Sequence, residues 1–441
     1  MKIIHHLGLI SALTVVAIGN TMAQPNIQQL KTPAGITVWL VESHQIPTIS
    51  IEVDFRAGSA YDPAGQEGLA SLTASLLDEG AGTLDATAFK EALDDIGARL
   101  GASADTTDIN VTMDTLVDNK QKAFELLGQS LQSPRFDTNA LTRVRTAILS
   151  GIKRGEENPG VVANRAFDKA LFGTHPYAHP SNGTLASVAK LDSDMTRAYW
   201  QKNFNRANMV VSVVGDTTPA EIEKLVDGAL AGLSAGTSKN ADQPAVTKLA
   251  SATPIHIQKD TPQASVMLGH LGIPRQHPDF WNMLVMNELL GGGVLTSRLY
   301  KSVREEHGLA YGVRSANYPL PGSGEWLISV ETGNGTVQQA LDLIRAEVTR
   351  MQTTVPEQHE FNDVVDYLTG SFPLRTDTNQ KILSYLSLMQ MENLGADYMK
   401  NWVERVRKVK PEDLQRVAKA YIHPDNMALV VVGDGDALKA K

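Results

Sequence analysis

Three groups of residues in this chain have types and spacings that could do chemistry. His175 and His179 lie four apart, with Glu156 or Glu157 available as a third oxygen donor, a set that could hold a divalent metal. Pro176 and Pro180 interrupt the regular helix that would place both imidazoles on one face, so the segment reads as a loop without a metal. The triplet Gly291-Gly292-Gly293 is the second group. No phosphate-loop lysine follows it, which argues against nucleotide. It either leaves room for a substrate backbone or closes the helix expected over residues 280–290. The third group is Arg304 and Tyr311. Leu295, Leu299 and Val303 mark a helix, Gly308 is placed to end it, and a strand starts near Leu309. That turn brings the guanidinium and the phenol back towards one place.

The elements that must position these groups repeat along the chain. Asn208-Met209-Val210-Val211-Ser212-Val213-Val214-Gly215-Asp216 recurs as Asn426-Met427-Ala428-Leu429-Val430-Val431-Val432-Gly433-Asp434. Each copy reads as a buried strand closed by a Gly-Asp turn and follows a helical pattern, residues 192–204 and 411–422. Duplication accounts for nine aligned positions with a shared upstream context. Between the copies, residues 234–250 are rich in Ser, Ala, Lys, Thr and Asn and read as a linker between domains at 27–233 and 251–441. Alternation at Ile49/Ile51/Val53/Phe55, Ile109/Val111/Met113 and Trp326/Ile328/Val330 predicts half-buried antiparallel strands with one polar face. Helical periods at Leu69/Leu72/Leu76, Phe124/Leu127/Leu131 and Leu341/Ile344/Val348 predict helices on one side of each sheet. The fold class is α+β, two similar sheet-plus-helices domains in one chain.

Composition narrows the partners. The chain has 441 residues, a net charge of -9 and no cysteine. An acidic chain disfavours nucleic acid or an anionic membrane as the main partner and leaves peptides open. Without thiolates, any metal needs His, Asp or Glu. Lys2, the apolar stretch at residues 7–18 and Thr21-Met22-Ala23 together read as a signal peptide over residues 1–23, so a periplasmic location is expected.

Arg56-Ala57-Gly58-Ser59-Ala60-Tyr61-Asp62-Pro63, continuing to Gly68-Leu69-Ala70, resembles the entry to the active-site helix of the insulinase, pitrilysin and mitochondrial processing peptidase family. Glu156-Glu157-Asn158-Pro159, His175-Pro176-Tyr177, the Ser297-Arg298-Leu299 to Tyr311 motif and the two Gly-Asp strands extend the resemblance over nearly the whole chain. In that family Gly-Leu-Ala leads into H-x-x-E-H, whose histidines bind zinc and whose glutamate is the general base. Here the corresponding residues are Ser71, Ala74 and Ser75, and the third-ligand position falls on Gly151. Hydroxyls and a methyl cannot replace imidazoles, so no metal is expected in this chain.

The resemblance also implies an Arg and a Tyr that reach from the second half towards substrate, and it maps them onto Arg304 and Tyr311. The Arg would hold a substrate carbonyl and the Tyr would help stabilise an oxyanion. Family architecture implies a half-clamshell that closes with a second chain. The expected function is a non-catalytic, substrate-binding subunit of a heterodimeric zinc peptidase acting on peptides or unfolded segments. Its partner would be a homologous chain carrying H-x-x-E-H and the zinc. The alternative is a zinc-less scaffold or peptide-binding protein of the same fold.

Overall fold

The computed structural model describes residues 25–435 except 238 and 294, so the expected signal peptide lies outside the described residues. The first half carries a six-stranded sheet in the order Gln28–Lys31, Thr37–Glu42, Met209–Gly215, Thr48–Phe55, Ile109–Leu116, Arg99–Ala104. The second carries five strands in the order Ile255–Gln258, Ala428–Gly433, Gln263–Leu271, Ser323–Gly333, Ala310–Leu320. The repeated segments occupy the same place in both sheets. Met209–Gly215 pairs parallel with Thr37–Glu42 and antiparallel with Thr48–Phe55. Ala428–Gly433 pairs parallel with Ile255–Gln258 and antiparallel with Gln263–Leu271. Topology and sequence repeat therefore agree, and each half is an α+β unit.

Alternation along the strands decides which face meets the core. Ile49, Ile51, Val53 and Phe55 are fully buried and pack with Leu72, Leu76, Phe124 and Leu127 of the first half's helices. Trp326, Ile328 and Val330 do the same with Leu341, Ile344 and Val348 in the second. Complete burial of each such side chain contributes roughly 1.5–3 kcal/mol.

The opposite faces of the sheets correct the expectation of helices on one side only and a polar face in water. Glu52, Asp54 and Ser212 alternate with the core residues, yet all three are buried. The cover comes from the other half. Helix Asn379–Met391 lies on this face, and Gln390 Nε2 donates to Val211 O (3.0 Å) and Ser212 Oγ (2.8 Å). Reciprocally, helix Pro159–Phe172 leaves the first half and lies on the outer face of the second sheet. Its Ala163, Phe167, Ala170 and Leu171 pack there against Met267, Leu327, Ala428, Val430 and Val432. Asn158 starts this helix by accepting from Gly160 N and Val161 N, with Pro159 at the first helical position where its missing N–H costs nothing.

The segment 234–250 is more than a solvated tether. Asn240 Nδ2 donates to Arg56 O (2.7 Å) and Gln243 Nε2 to Ala60 O (3.0 Å). Val246 and Leu249 pack on the interdomain cluster. Its polar side chains satisfy neighbouring backbone instead of water, so the low-hydrophobicity composition accompanies an ordered strap. Among the described residues, no helix is long and apolar enough to cross a membrane.

Candidate functional site

Helix Leu69–Ala74 forms where the resemblance places an active-site helix, and the local sequence explains its start. Buried Asp62 accepts from Gly68 N (2.7 Å) and Ala70 N (2.8 Å), caging the first free amides. Burial pushes the Asp62 carboxyl up to about 7 despite those bonds. Gly68 has φ +95°, and a Cβ there would stand 2.8 Å from Asn182 O, so only glycine fits the entry.

On this helix, the positions of two zinc ligands and of the base are taken up by packing and internal bonding. Ser71 Oγ donates to Asn182 Oδ1 (2.9 Å), Ala74 is buried, and Ser75 closes the helix. Gly151, on helix Thr138–Glu157, faces open space and offers no oxygen. One turn beyond Ser75, buried Glu79 meets two cations. Lys90 Nζ donates to it at 2.8 Å and Arg143 Nη1 at 2.9 Å, with Arg143 Nη2 on its second oxygen. Burial raises the Glu79 carboxyl, but the bonds from Arg143 and Lys90 outweigh burial and hold it below the ordinary glutamate range. These residues do not fit a zinc ion, because neither a neutral hydroxyl nor a methyl is a competent ligand.

The Arg304 region is built differently. Tyr300–Glu306 is a widely wound helix, and Gly308 (φ +63°) ends it, its N–H reaching Arg304 O at 3.0 Å. Strand Ala310–Leu320 follows at the edge of the second sheet. Its pairing shifts register between Ala310 and Val313, a bulge that turns Tyr311 out of the ladder. Tyr311 is 81% exposed. Arg304 is exposed, and its guanidinium lies 4.8 Å over the ring of Tyr300. Leu295 does not share the buried stripe of Leu299 and Val303. It is 66% exposed, because regular winding begins only after Ser297.

The glycine triplet ends the widely wound continuation of helix Phe280–Asn287. A Cβ on Gly291 would come within 2.6 Å of Ser315 N, so this glycine lets the helix end pack on the edge strand. His175 is committed to structure. Its Nδ1 accepts from Tyr177 N (3.2 Å), so Nε2 carries the proton donated to Pro244 O (2.9 Å), fastening the strap. Pro176–Ala178 is a single tight turn, as the prolines imply.

Two features were not found from sequence. One is the exposed edge strand Arg99–Ala104 of the first sheet, which leaves backbone groups unpaired beside the Leu69–Ala74 helix. The other is a polar cleft of about 1030 Å3 between the halves, lined by Glu52, Asp54, Asp168 and Glu325 among others. Charged residues alternating along a strand that pairs on both edges were the available signal for the second.

Residues 37–184 match the family described as "Insulinase (Peptidase family M16)", and residues 190–368 match "Peptidase M16 inactive domain". The chain is 27% identical over 420 residues to a Helicobacter pylori protein named "Non-peptidase homolog YmxG", covering 94% of this chain and 95% of that protein. It is 24% identical over 442 residues to the mitochondrial-processing peptidase subunit beta of Blastocladiella emersonii, covering 95% and 91%. Among solved structures, the peptidase M16 inactive domain from Pseudomonas fluorescens superposes with a TM-score of 0.88 at 29% identity, covering 94% of this chain and all of that one.

Proposed function

Because this chain belongs to the insulinase family of peptidases, M16, we propose that it is the non-catalytic, substrate-binding subunit of a heterodimeric zinc endopeptidase. The observation that carries the proposal is the contrast between Ser71 and Ala74, tied into packing where the family has a zinc ligand and the base, and Arg304 and Tyr311, left exposed. A guanidinium stacked on Tyr300 is held in orientation while its N–H donors stay free for a peptide carbonyl. The Tyr311 hydroxyl, carried outward by the bulge, is free to donate to a developing oxyanion. A homologous chain with H-x-x-E-H would supply the zinc and its activated water. The substrate is an extended peptide or unfolded segment that adds to an exposed sheet edge through backbone bonds, with loose sequence preference. Gly292 and Gly293, at the end of the helix that packs on strand Ala310–Leu320 through Gly291, would leave such a backbone room. Export to the periplasm belongs to the same proposal and is checked by fractionation and by a mature N-terminus at Gln24.

The decisive test reconstitutes this chain with an H-x-x-E-H chain of the same organism and measures peptide cleavage. Activity should need both chains, and Arg304→Ala should lower kcat/KM by about 2–4 kcal/mol in transition-state terms. An unchanged rate would remove the assigned role. It would favour the second reading, a scaffold or peptide-binding chain, which the packing of Ser71 and Ala74 also suits.

A further inference from the structure

The repeat supplies an internal control for the interdomain cleft. Glu52 pairs across the first sheet with Ser212, and Met267 pairs with Val430 at the equivalent position of the second. By the same register Asp54 stands where the second half has Gly269. Both faces are covered by a helix from the opposite half. In the second half the covered face is apolar, Met267 and Val430 packing on Phe167 and Leu171. Covering a sheet in this fold therefore does not require acidic residues. In the first half two carboxylates stand there, although burying a charge without a partner is strongly unfavourable.

Among the described residues, no lysine or arginine pairs with those carboxyl groups. Asp54 is 3% exposed and Glu52 7%, both line the cleft, and Asp54 Oδ2 and Glu52 Oε2 have no hydrogen-bond partner among the described residues. Across the cleft, Asp168 on helix Pro159–Phe172 lies close enough to Glu325 of strand Ser323–Gly333 for repulsion between them. Asp168 accepts one bond, from Asn164 Nδ2 at 2.9 Å. The cleft's arginines are partly committed elsewhere. Arg56 stands 3.4 Å from Asp108 and donates to Met391 O, and Arg275 stands 3.3 Å from Glu392. Arg165 also lines the cleft, against four carboxylates that no lysine or arginine pairs with among the described residues.

We propose that this cleft binds a linear aliphatic polyamine, whose ammonium groups meet the Glu52–Asp54 pair and the Asp168–Glu325 pair. The shape of the site favours a spread cation over a point ion. Among the described residues no three His, Asp or Glu side chains converge to hold one metal ion, whereas about 1030 Å3 matches a small organic ligand. Burial raises Glu52 and Asp54, Asp54 further because Glu52 repels it, and both would gain a counter-charge from an ammonium group. Arg304 and Tyr311 do not line this cleft, so the proposal stands apart from the peptidase reading.

The test is calorimetric titration of the full-length mature chain with spermidine at pH 8.5 and low salt, alongside Mg2+ and Ca2+. The expected result is saturable spermidine binding, weakened at least tenfold by Asp168→Asn with Glu325→Gln. A second variant, Glu52→Gln with Asp54→Asn, should weaken it comparably. Circular dichroism and melting establish that each variant folds, and the Asp168/Glu325 variant suffices if the deeper one does not. Absence of binding at millimolar spermidine would overturn the proposal, as would binding that neither variant alters. Displacement of spermidine by equal or lower concentrations of Mg2+ or Ca2+ would overturn it in favour of a point-ion site.

Discussion

The helix Leu69–Ala74 and the turn from Arg304 to Tyr311 are two ends of one imagined active site, and the chain has treated them in opposite ways. At the first, the substituted helix positions are absorbed into packing or internal bonding, Ser71 on Asn182 and Ala74 in the core, and Glu79 one turn on is held between Arg143 and Lys90. At the second, an arginine and a tyrosine stay in solvent at the end of a helix and the edge of a sheet, where the fold gains little from them. The difference teaches that the two regions should fail separately. Changes at the first should cost stability, and changes at the second should cost only function.

The largest effect should come from forcing chemistry back onto the packed region. Ala74→Glu, which restores the family's base position, places an uncompensated carboxylate in the core. It should lower unfolding free energy by about 3–5 kcal/mol in urea titration. Undiminished stability of the Ala74→Glu variant would show that the region is looser than its burial implies. Next comes the mirror experiment. Arg304→Ala, which costs the reconstituted pair about 2–4 kcal/mol in kcat/KM, should change this chain's own stability by no more than about 0.5 kcal/mol. Tyr311→Phe, which removes one hydroxyl donor to a charged oxygen, should cost about 1.5–3 kcal/mol in kcat/KM and nothing in melting.

The smallest effect is a pH dependence located in neither region. Burial and the repulsion of Glu325 push Asp168 up to about 8, and burial pushes Glu325 up to about 7. A carboxyl raised in the fold binds its proton more tightly there than in the unfolded chain. Stability from these groups is therefore complete below pH 4 and is lost as pH rises through 7 and 8. Asp168→Asn should accordingly stabilise the fold at pH 9 by on the order of 1 kcal/mol, read as a higher melting temperature, with the gain vanishing towards pH 4.

Local pattern made much of this legible from sequence. Period-two alternation located Thr48–Phe55, Ile109–Leu116 and Ser323–Gly333, because side chains on a strand point to opposite faces whatever surrounds them. The nine-residue repeat found the strand with the same neighbours, one parallel and one antiparallel, in both sheets. Gly308 located the turn between Arg304 and Tyr311, since only a left-handed residue lets the chain reverse there. What covers a face is a long-range fact, and alternation is silent on it. Glu52 and Asp54 therefore read as a solvated face and turned out to lie beneath a helix more than 300 residues away in sequence. Leu295 fitted a helical period but lies before regular winding begins. The strap at 234–250 looked like a tether because its cohesion lies in side-chain bonds to backbone, which composition does not reveal.

The exchange of helices between the halves also sets an order of events at birth. When residue 233 leaves the ribosome or a translocation channel, the first sheet is complete on its inner face and bare on its outer one. Helix Asn379–Met391 arrives about 160 residues later, roughly 8–30 s at ordinary elongation rates. Helix Pro159–Phe172 meanwhile has an apolar stripe and no sheet to lie on until the second half exists. The nascent first half is thus a natural client for a holding chaperone, and neither half has the means to mature without the other. Two copies of one pattern thus depend on each other for cover, each sheet's outer face closed by a helix that the other half supplies.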